Sequence, residues 1–214
     1  MVRTMVGKGI SDRNDFLKII GMIAMLIDHI GYIFFPEHII LRIMGRIAFP
    51  IFAYHISVGY IHTKDIKRYI LRLFIFGAIS QIPYRMLFQG GLNIFFTLLL
   101  GLVCIYALDH HRYILLILFA LLPLFLNFEY GYYGLALIII FHLTKNSKNL
   151  SILGIGLINL WYFLSNNYSI QIFSILALLP IYTPLKIDIR WNKYIFYVFY
   201  PMHIVILYYS KGTL

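Results

Sequence analysis

Phe16-Leu-Lys-Ile-Ile-Gly-Met-Ile-Ala-Met-Leu-Ile-Asp28-His29-Ile-Gly-Tyr-Ile-Phe-Phe35 reads as a membrane span interrupted by one adjacent titratable pair, Asp28-His29. A run of about 20 apolar residues, wound as one helix, matches the hydrocarbon thickness of a bilayer. Hydrocarbon offers no water to an ionised carboxylate, and Asp at the centre of an inserted helix costs roughly 2.5–3.5 kcal/mol. The pair must therefore face a protein interior or a wet cavity. An ionisable group at that depth marks a candidate functional site.

The remainder of the chain is similarly apolar. Of its 214 residues, 61% are hydrophobic and 12% charged, with a mean hydropathy of +0.83. Soluble domains carry about 25% charged residues, so there is too little polar surface here to cover a water-facing globule. The expected fold is all-α: a polytopic transmembrane helical bundle forming one domain over residues 16–210, behind a cytoplasmic N-terminal segment, residues 1–15. Nine spans are expected, at 16–35, 39–61, 69–88, 92–108, 113–127, 132–144, 150–165, 169–184 and 194–210. The charges at Arg3, Lys8, Asp12, Arg13 and Asp15, with no small-residue cleavage site after them, argue against a cleavable signal peptide.

The basic residues set the expected orientation. With the N-terminus in the cytoplasm, the inner segments hold Arg3, Lys8, Arg13, Lys18, Lys64, Lys67, Arg68, Arg112, Lys145, Lys148, Lys186, Arg190 and Lys193, whereas the outer ones hold only Arg85 and Lys211. That asymmetry obeys the positive-inside rule. It places the chain as a multi-pass protein of the bacterial cytoplasmic membrane and accounts for the net charge of +10 without a nucleic-acid partner. Cys104 is the single cysteine, which excludes an intrachain disulfide and a thiolate metal cluster. His110 and His111 are adjacent and do not share a helix face, so no metal is expected there.

Alternating the spans sorts the polar residues by depth. Asp28 and His29 fall in the outer half of span one. Arg42 and Arg46, four residues apart and hence on one helix face, fall in the outer half of span two. Gln81, Tyr84, Asn93, Thr97, Glu129, Tyr130 and His203 belong to the same outer layer. Groups so expensive to bury can satisfy themselves only by meeting across the bundle. Arg72 lies near the cytoplasmic end of span three.

The chemistry open to such a layer is limited. A carboxylate can hold a histidine as general base, but adjacent helical residues do not face each other. Asp28 is therefore expected to orient a group on another helix, such as His203 or an arginine. Pairing with Arg42 or Arg46 could equally be a structural bolt. Arginines in a low-dielectric site bind phosphate bidentately and stabilise developing negative charge. These residues suit group transfer from an activated donor, and equally a small proton-coupled transporter using an intramembrane Asp/His relay.

Several segments in order decide between these readings by resemblance: Leu17 to Gly31 with its Asp-His pair, Leu41-Arg-Ile-Met-Gly-Arg-Ile-Ala-Phe-Pro-Ile-Phe52, Arg68-Tyr-Ile-Leu-Arg-Leu73 with Ser80-Gln-Ile-Pro83, Asn93-Ile-Phe-Phe-Thr-Leu98, and Lys193-Tyr-Ile-Phe-Tyr-Val-Phe-Tyr-Pro-Met-His203. Together they resemble the TraX family over residues 16 to 210, and more distantly the transmembrane acyltransferases that modify sugars. TraX is named for the conjugative pilin acetylase, which acetylates the N-terminus of membrane-embedded pilin. The resemblance implies an integral-membrane acetyltransferase with acetyl-CoA as co-substrate. Its acceptor would be an amine or hydroxyl at or near the outer face, on a peptide N-terminus or a surface glycan. By the same resemblance Asp28, His29 and His203 are catalytic candidates, and Arg42, Arg46 and Asn93 bind substrate or donor. Arg72 joins them as a donor-binding candidate at the inner end.

Overall fold

Residues 15–166, 169–183 and 191–212 are described by a computed structural model. The N-terminal segment up to residue 14, Lys186 and Arg190 lie outside the described residues. Within them the helices follow the expected order, with the eighth expected span, 169–184, formed by a 3-10 segment and a short helix rather than one rod: α1 (Asp15–Phe34), α2 (Ile39–Gly45), α3 (Ala48–His62), α4 (Ile66–Phe88), α5 (Ile94–Asp109), α6 (Tyr113–Phe125), α7 (Gly131–Leu143), α8 (Lys148–Ser165), a 3-10 segment (Ile170–Ala177), α9 (Leu178–Tyr182) and α10 (Lys193–Lys211). Among the described residues the only β pairing is an isolated parallel bridge between Leu92 and Phe128.

The expected second span is two helices rather than one, and Pro50 supplies the reason. Proline at position 50 has no N–H for the carbonyl of Arg46 and crowds it. The chain tightens around that position: Arg46 N–H bonds Ile43 O, three residues back, at 3.1 Å, and Ile51 N–H reaches Ile47 O at 3.4 Å. The helix break falls at Arg46-Ile47, where it sets the arginine at the mouth of α3. Several helix starts are capped by polar side chains. Asp65 Oδ1 accepts from Arg68 N–H at 3.0 Å, Asn93 Oδ1 from Phe95 N–H at 3.0 Å and Asn192 Oδ1 from Tyr194 N–H at 3.1 Å.

α5 is the central rod. Leu102, Cys104, Ile105 and Ala107 are fully buried, and the helix packs against α3, α4, α6 and α7. α1 lies against α2, α3 and α10, while the 3-10 segment closes over α2, α3 and α8. Two glycines let α1 and α2 touch. A Cβ on Gly31 would stand 2.7 Å from Leu41 Cβ, and one on Gly45 would overlap the Asp28 carboxylate.

The outer surface of the bundle is apolar. α6 buries none of its residues, and Ile114 and Phe125 are 78% and 79% exposed. A bilayer solvates such a belt, and water does not. By length and composition Asp15–Phe34, Ile39–His62 and Ile66–Phe88 can cross a membrane. At 13 residues each, α6 and α7 rise only about 20 Å, short of the roughly 30 Å hydrocarbon layer. Among the described residues, three helices long and apolar enough to span and a set of shorter apolar rods are the features of a helical membrane protein.

Candidate functional site

The site is assembled where α1, α2, α10 and the 3-10 segment converge. Asp28 is 7% exposed and meets Arg42 of α2 and Arg46 at the C-terminal cap of that helix. Its Oδ2 accepts from Arg42 Nη1 at 2.9 Å, its Oδ1 accepts from Arg46 Nη2, and its backbone carbonyl accepts again from Arg42 Nη1 at 3.1 Å. The i, i+4 spacing of the arginines puts both forks on the face of α2 that Gly45 presses against α1. One carboxylate thus neutralises part of two cations in a buried place.

The two arginines are held differently. All three nitrogens of the Arg46 guanidinium group are engaged: Nε donates to Arg42 O at 3.1 Å, Nη1 to Gln171 Oε1 at 3.2 Å and Nη2 to Asp28 Oδ1. Arg42 is bound only through Nη1, lies over the Tyr32 ring at 4.9 Å and is the more exposed of the pair. Its Nε and Nη2 have no hydrogen-bond partner among the described residues. Arg46 is a strut and Arg42 a cation with donors to spare.

His29, one residue on, directs its ring at α10 rather than at Asp28. Its Nδ1 lies 2.8 Å from His203 Nε2, and the two rings stack at 5.0 Å. His203 Nδ1 in turn lies 2.8 Å from Phe199 O, one turn back along α10. A carbonyl only accepts, so His203 Nδ1 carries a proton. In the neutral ring its Nε2 then accepts, and the proton shared with His29 sits on His29 Nδ1. That leaves the lone pair of His29 on Nε2, which has no partner among the described residues. The tautomer of the pair is dictated by one backbone carbonyl, and it singles out His29 Nε2 as the free base. Pro201 leaves the carbonyl of Tyr197 without its helical donor, yet His203 bonds Phe199 O instead.

A tied loop forms the opposite wall. Leu92 N–H bonds Asn127 O at 2.7 Å, Glu129 N–H bonds Leu92 O at 2.9 Å, and Thr97 Oγ1 donates to Glu129 O at 2.5 Å. Tyr130 then adopts a left-handed backbone, φ 63°, which costs a non-glycine residue about 1–3 kcal/mol. Stacking of its ring on Phe49 at 4.0 Å holds it there. The loop presents Glu129 toward Arg46 and Asp28. Burial pushes the Glu129 carboxyl up to about 7, against the opposing pull of Arg46. Glu129 Oε2 and Tyr200 Oη are both buried, with the Tyr200 hydroxyl beside the Glu129 carboxyl.

Five of the seven sequence candidates come together here: Asp28, His29, Arg42, Arg46 and His203. Asn93 does not share their contacts. It is fully buried, caps α5, and spends its Nδ2 on Gly77 O at 2.8 Å and Gln81 Oε1 at 2.9 Å. Arg72 sits apart on α4, over the Tyr69 ring at 5.5 Å and beside Tyr197, with a buried Nε that has no hydrogen-bond partner among the described residues. Gln171 is the site residue that the sequence reading passed over. It is a lone amide in an apolar run, and a polar group at that position was the available signal.

The family description "TraX protein" matches residues 13–210. The chain is 26% identical over 237 residues to a probable fimbrial assembly protein, FimC of serogroup H1, from Dichelobacter nodosus, covering 91% of this chain and 94% of that one. It is 43% identical over 94 residues to an uncharacterised protein of Rickettsia prowazekii (strain Madrid E), covering 43% of this chain and 36% of that protein. No solved structure matches it significantly.

Proposed function

This chain belongs to the TraX family, and from that membership we propose that it is an integral-membrane acetyltransferase drawing on acetyl-CoA. The acceptor is an amine or hydroxyl at or near the outer face of the membrane, on a peptide N-terminus or a surface glycan. The fimbrial-assembly name of the Dichelobacter relative supports a pilin-related membrane peptide as one acceptor. The observation that carries the reading is the ordered His29–His203 pair beside an Asp28 that two arginines share. It combines a base with a fixed lone pair and a cation with unused donors.

In this reading the N-terminus is cytoplasmic and the site lies in the outer half of the bundle. The donor enters from the inner side, where the buried Nε of Arg72, without a partner among the described residues, suits an oxygen of the donor's phosphate or pantetheine. The acceptor N–H or O–H loses its proton to His29 Nε2 as its heteroatom attacks the thioester carbonyl. The resulting imidazolium keeps donating from Nδ1 to His203, which holds the ring in place. Arg42 faces the oxyanion with its free N–H groups, and such donors contribute about 2.7–4 kcal/mol to the transition state. The carbon–sulfur bond then breaks, the acetyl group stays on the acceptor, and His29 returns the proton to the departing thiolate. Asp28 holds Arg42 and keeps the neighbouring cations from repelling the imidazolium.

The test is a thermal titration of the purified full chain with acetyl-CoA, followed by transfer of radiolabelled acetyl to a peptide bearing a free N-terminus or to a glycan. Stabilisation by acetyl-CoA at 100 times its dissociation constant amounts to about 2.7 kcal/mol. No response to acetyl-CoA, with proton-driven uptake in vesicles, would replace this reading with a transporter.

A further inference from the structure

Behind Arg46 runs a buried hydrogen-bonded chain that joins the site to α8. Gln171, Tyr133, Ser174 and Asn159 are 4%, 1%, 0% and 1% exposed. Gln171 Nε2 lies 3.5 Å from Tyr133 Oη, Tyr133 Oη 2.6 Å from Ser174 Oγ, and Ser174 Oγ 2.6 Å from Asn159 Oδ1. Tyr133 Oη is also 3.1 Å from Asn159 Oδ1. Asn159 Nδ2 donates to Ile155 O at 2.9 Å.

That last bond gives the chain its direction. A carbonyl accepts, so the Asn159 amide is oriented with its nitrogen toward Ile155 and its oxygen toward Ser174. Ser174 spends its one hydroxyl proton on that oxygen. Tyr133 therefore donates to Ser174 or Asn159, and its oxygen is left to accept from Gln171 Nε2. The Gln171 amide is thereby turned so that its oxygen, not its nitrogen, meets the guanidinium group of Arg46. Its backbone is set by Ser169 Oγ, which accepts from Gln171 N–H at 3.2 Å. The 3-10 segment that carries Gln171 is eight residues long, twice the usual limit of about 3–4 residues for such a helix.

We propose that Gln171 is a positioning residue: with its amide polarised by Tyr133, Ser174 and Asn159, it pins Arg46 as a strut for Asp28 and so leaves Arg42 as the cation that faces substrate. This assignment rests on the site described under Proposed function. An amide turned the other way would set N–H against N–H and eject the Arg46 fork toward the space that Arg42 serves.

The test labels arginines of the purified full chain with phenylglyoxal and locates them by mass spectrometry, so it needs no enzymatic activity. The variants are Gln171→Leu, which removes the acceptor, Gln171→Glu, which keeps one, and Tyr133→Phe, which cuts the chain behind the amide. Loss of one charge-assisted hydrogen bond predicts about tenfold faster labelling of Arg46 in Gln171→Leu, with Gln171→Glu close to wild type and Arg42 labelling unchanged. In acetyl transfer the same Gln171→Leu change is expected to lower kcat and leave the KM for acetyl-CoA alone. Unchanged Arg46 labelling in a folded Gln171→Leu protein would overturn the proposal. If Gln171→Leu fails to fold, Tyr133→Phe decides: faster Arg46 labelling supports the proposal and unchanged labelling overturns it. Faster labelling in a chain whose wild type transfers no acetyl group would keep the positioning role and discard the acetyltransferase reading.

Discussion

Replacing Asp28 with Asn tests the ion triad directly. The substitution keeps the shape of the side chain and removes the charge that Arg42 and Arg46 share, and it places an amide N–H against a guanidinium group. Removing one partner of a buried ion pair costs about 3–5 kcal/mol, because the remaining charge is left uncompensated. Arg46 belongs in that class, since its side chain is 11% exposed; Arg42, at 24%, is partly relieved by its surroundings. For a chain of this length each kcal/mol moves Tm by about 2–4 °C, so Asp28→Asn should lower Tm by about 6–20 °C. Cys104 supplies the assay. It is the only cysteine and is fully buried, so a fluorogenic maleimide in detergent reports unfolding as that thiol becomes exposed. The double variant Asp28→Leu with Arg46→Met removes the orphaned charge and fills the space with apolar atoms. Such replacements are often neutral or better, and roughly half of the lost Tm should return while acetyl transfer stays absent. A Tm for Asp28→Asn within about 2 °C of wild type would refute the reasoning. So would a double variant less stable than the single one.

Other expectations follow from the same contacts. His29→Gln removes the free lone pair and should lower transfer by about 10²–10⁴, with Tm nearly unchanged in the maleimide assay. His203→Phe should cost less, because it releases the tautomer and leaves the base in place; equal losses in the two variants would argue against His29 Nε2 as the base. Gly45→Ala drives a methyl group into the Asp28 carboxylate and should cost about 1–3 kcal/mol as overpacking, read as a lower Tm and faster phenylglyoxal labelling of Arg46. Glu129 gives a pH dependence. Burial raises its folded carboxyl from 4.5 to about 7, so in that window the folded state holds a proton that the unfolded state has released. Stability should fall as pH rises from about 4.5 to about 7, by on the order of 3 kcal/mol. Glu129→Gln should flatten that slope of Tm against pH, and an unaltered slope would remove Glu129 as its source.

Helix order was legible because apolar run length and charged loops are local properties. The Asp28, Arg42 and Arg46 meeting was legible in kind, since unpaired ions at that depth have nowhere else to go, and the four-residue spacing gave the shared face. The break at Arg46-Ile47 was written in Pro50, but its exact place depends on which carbonyl the proline strands. The tautomer of His29 was not legible. It depends on Phe199 O, a backbone atom reached only once α1 and α10 are packed. Gln171 was hidden for a similar reason: a single amide in an apolar segment has meaning only when the partners at its two ends are known. Asn93 looked like a member of the polar layer, whereas its amide is consumed by the cap of α5 and by Gly77.

The central claim is that His29 serves acetyl transfer from acetyl-CoA. The direct measurement is free thiol released from acetyl-CoA by the purified chain in proteoliposomes, with a peptide bearing a free N-terminus or a hydroxylated glycan as acceptor. The thiol count is matched to acetyl groups found on the acceptor by mass spectrometry. The account predicts one thiol per acetylated acceptor for wild type and loss of both signals in His29→Gln with Cys104 still protected. Equal turnover in folded wild type and His29→Gln would contradict it.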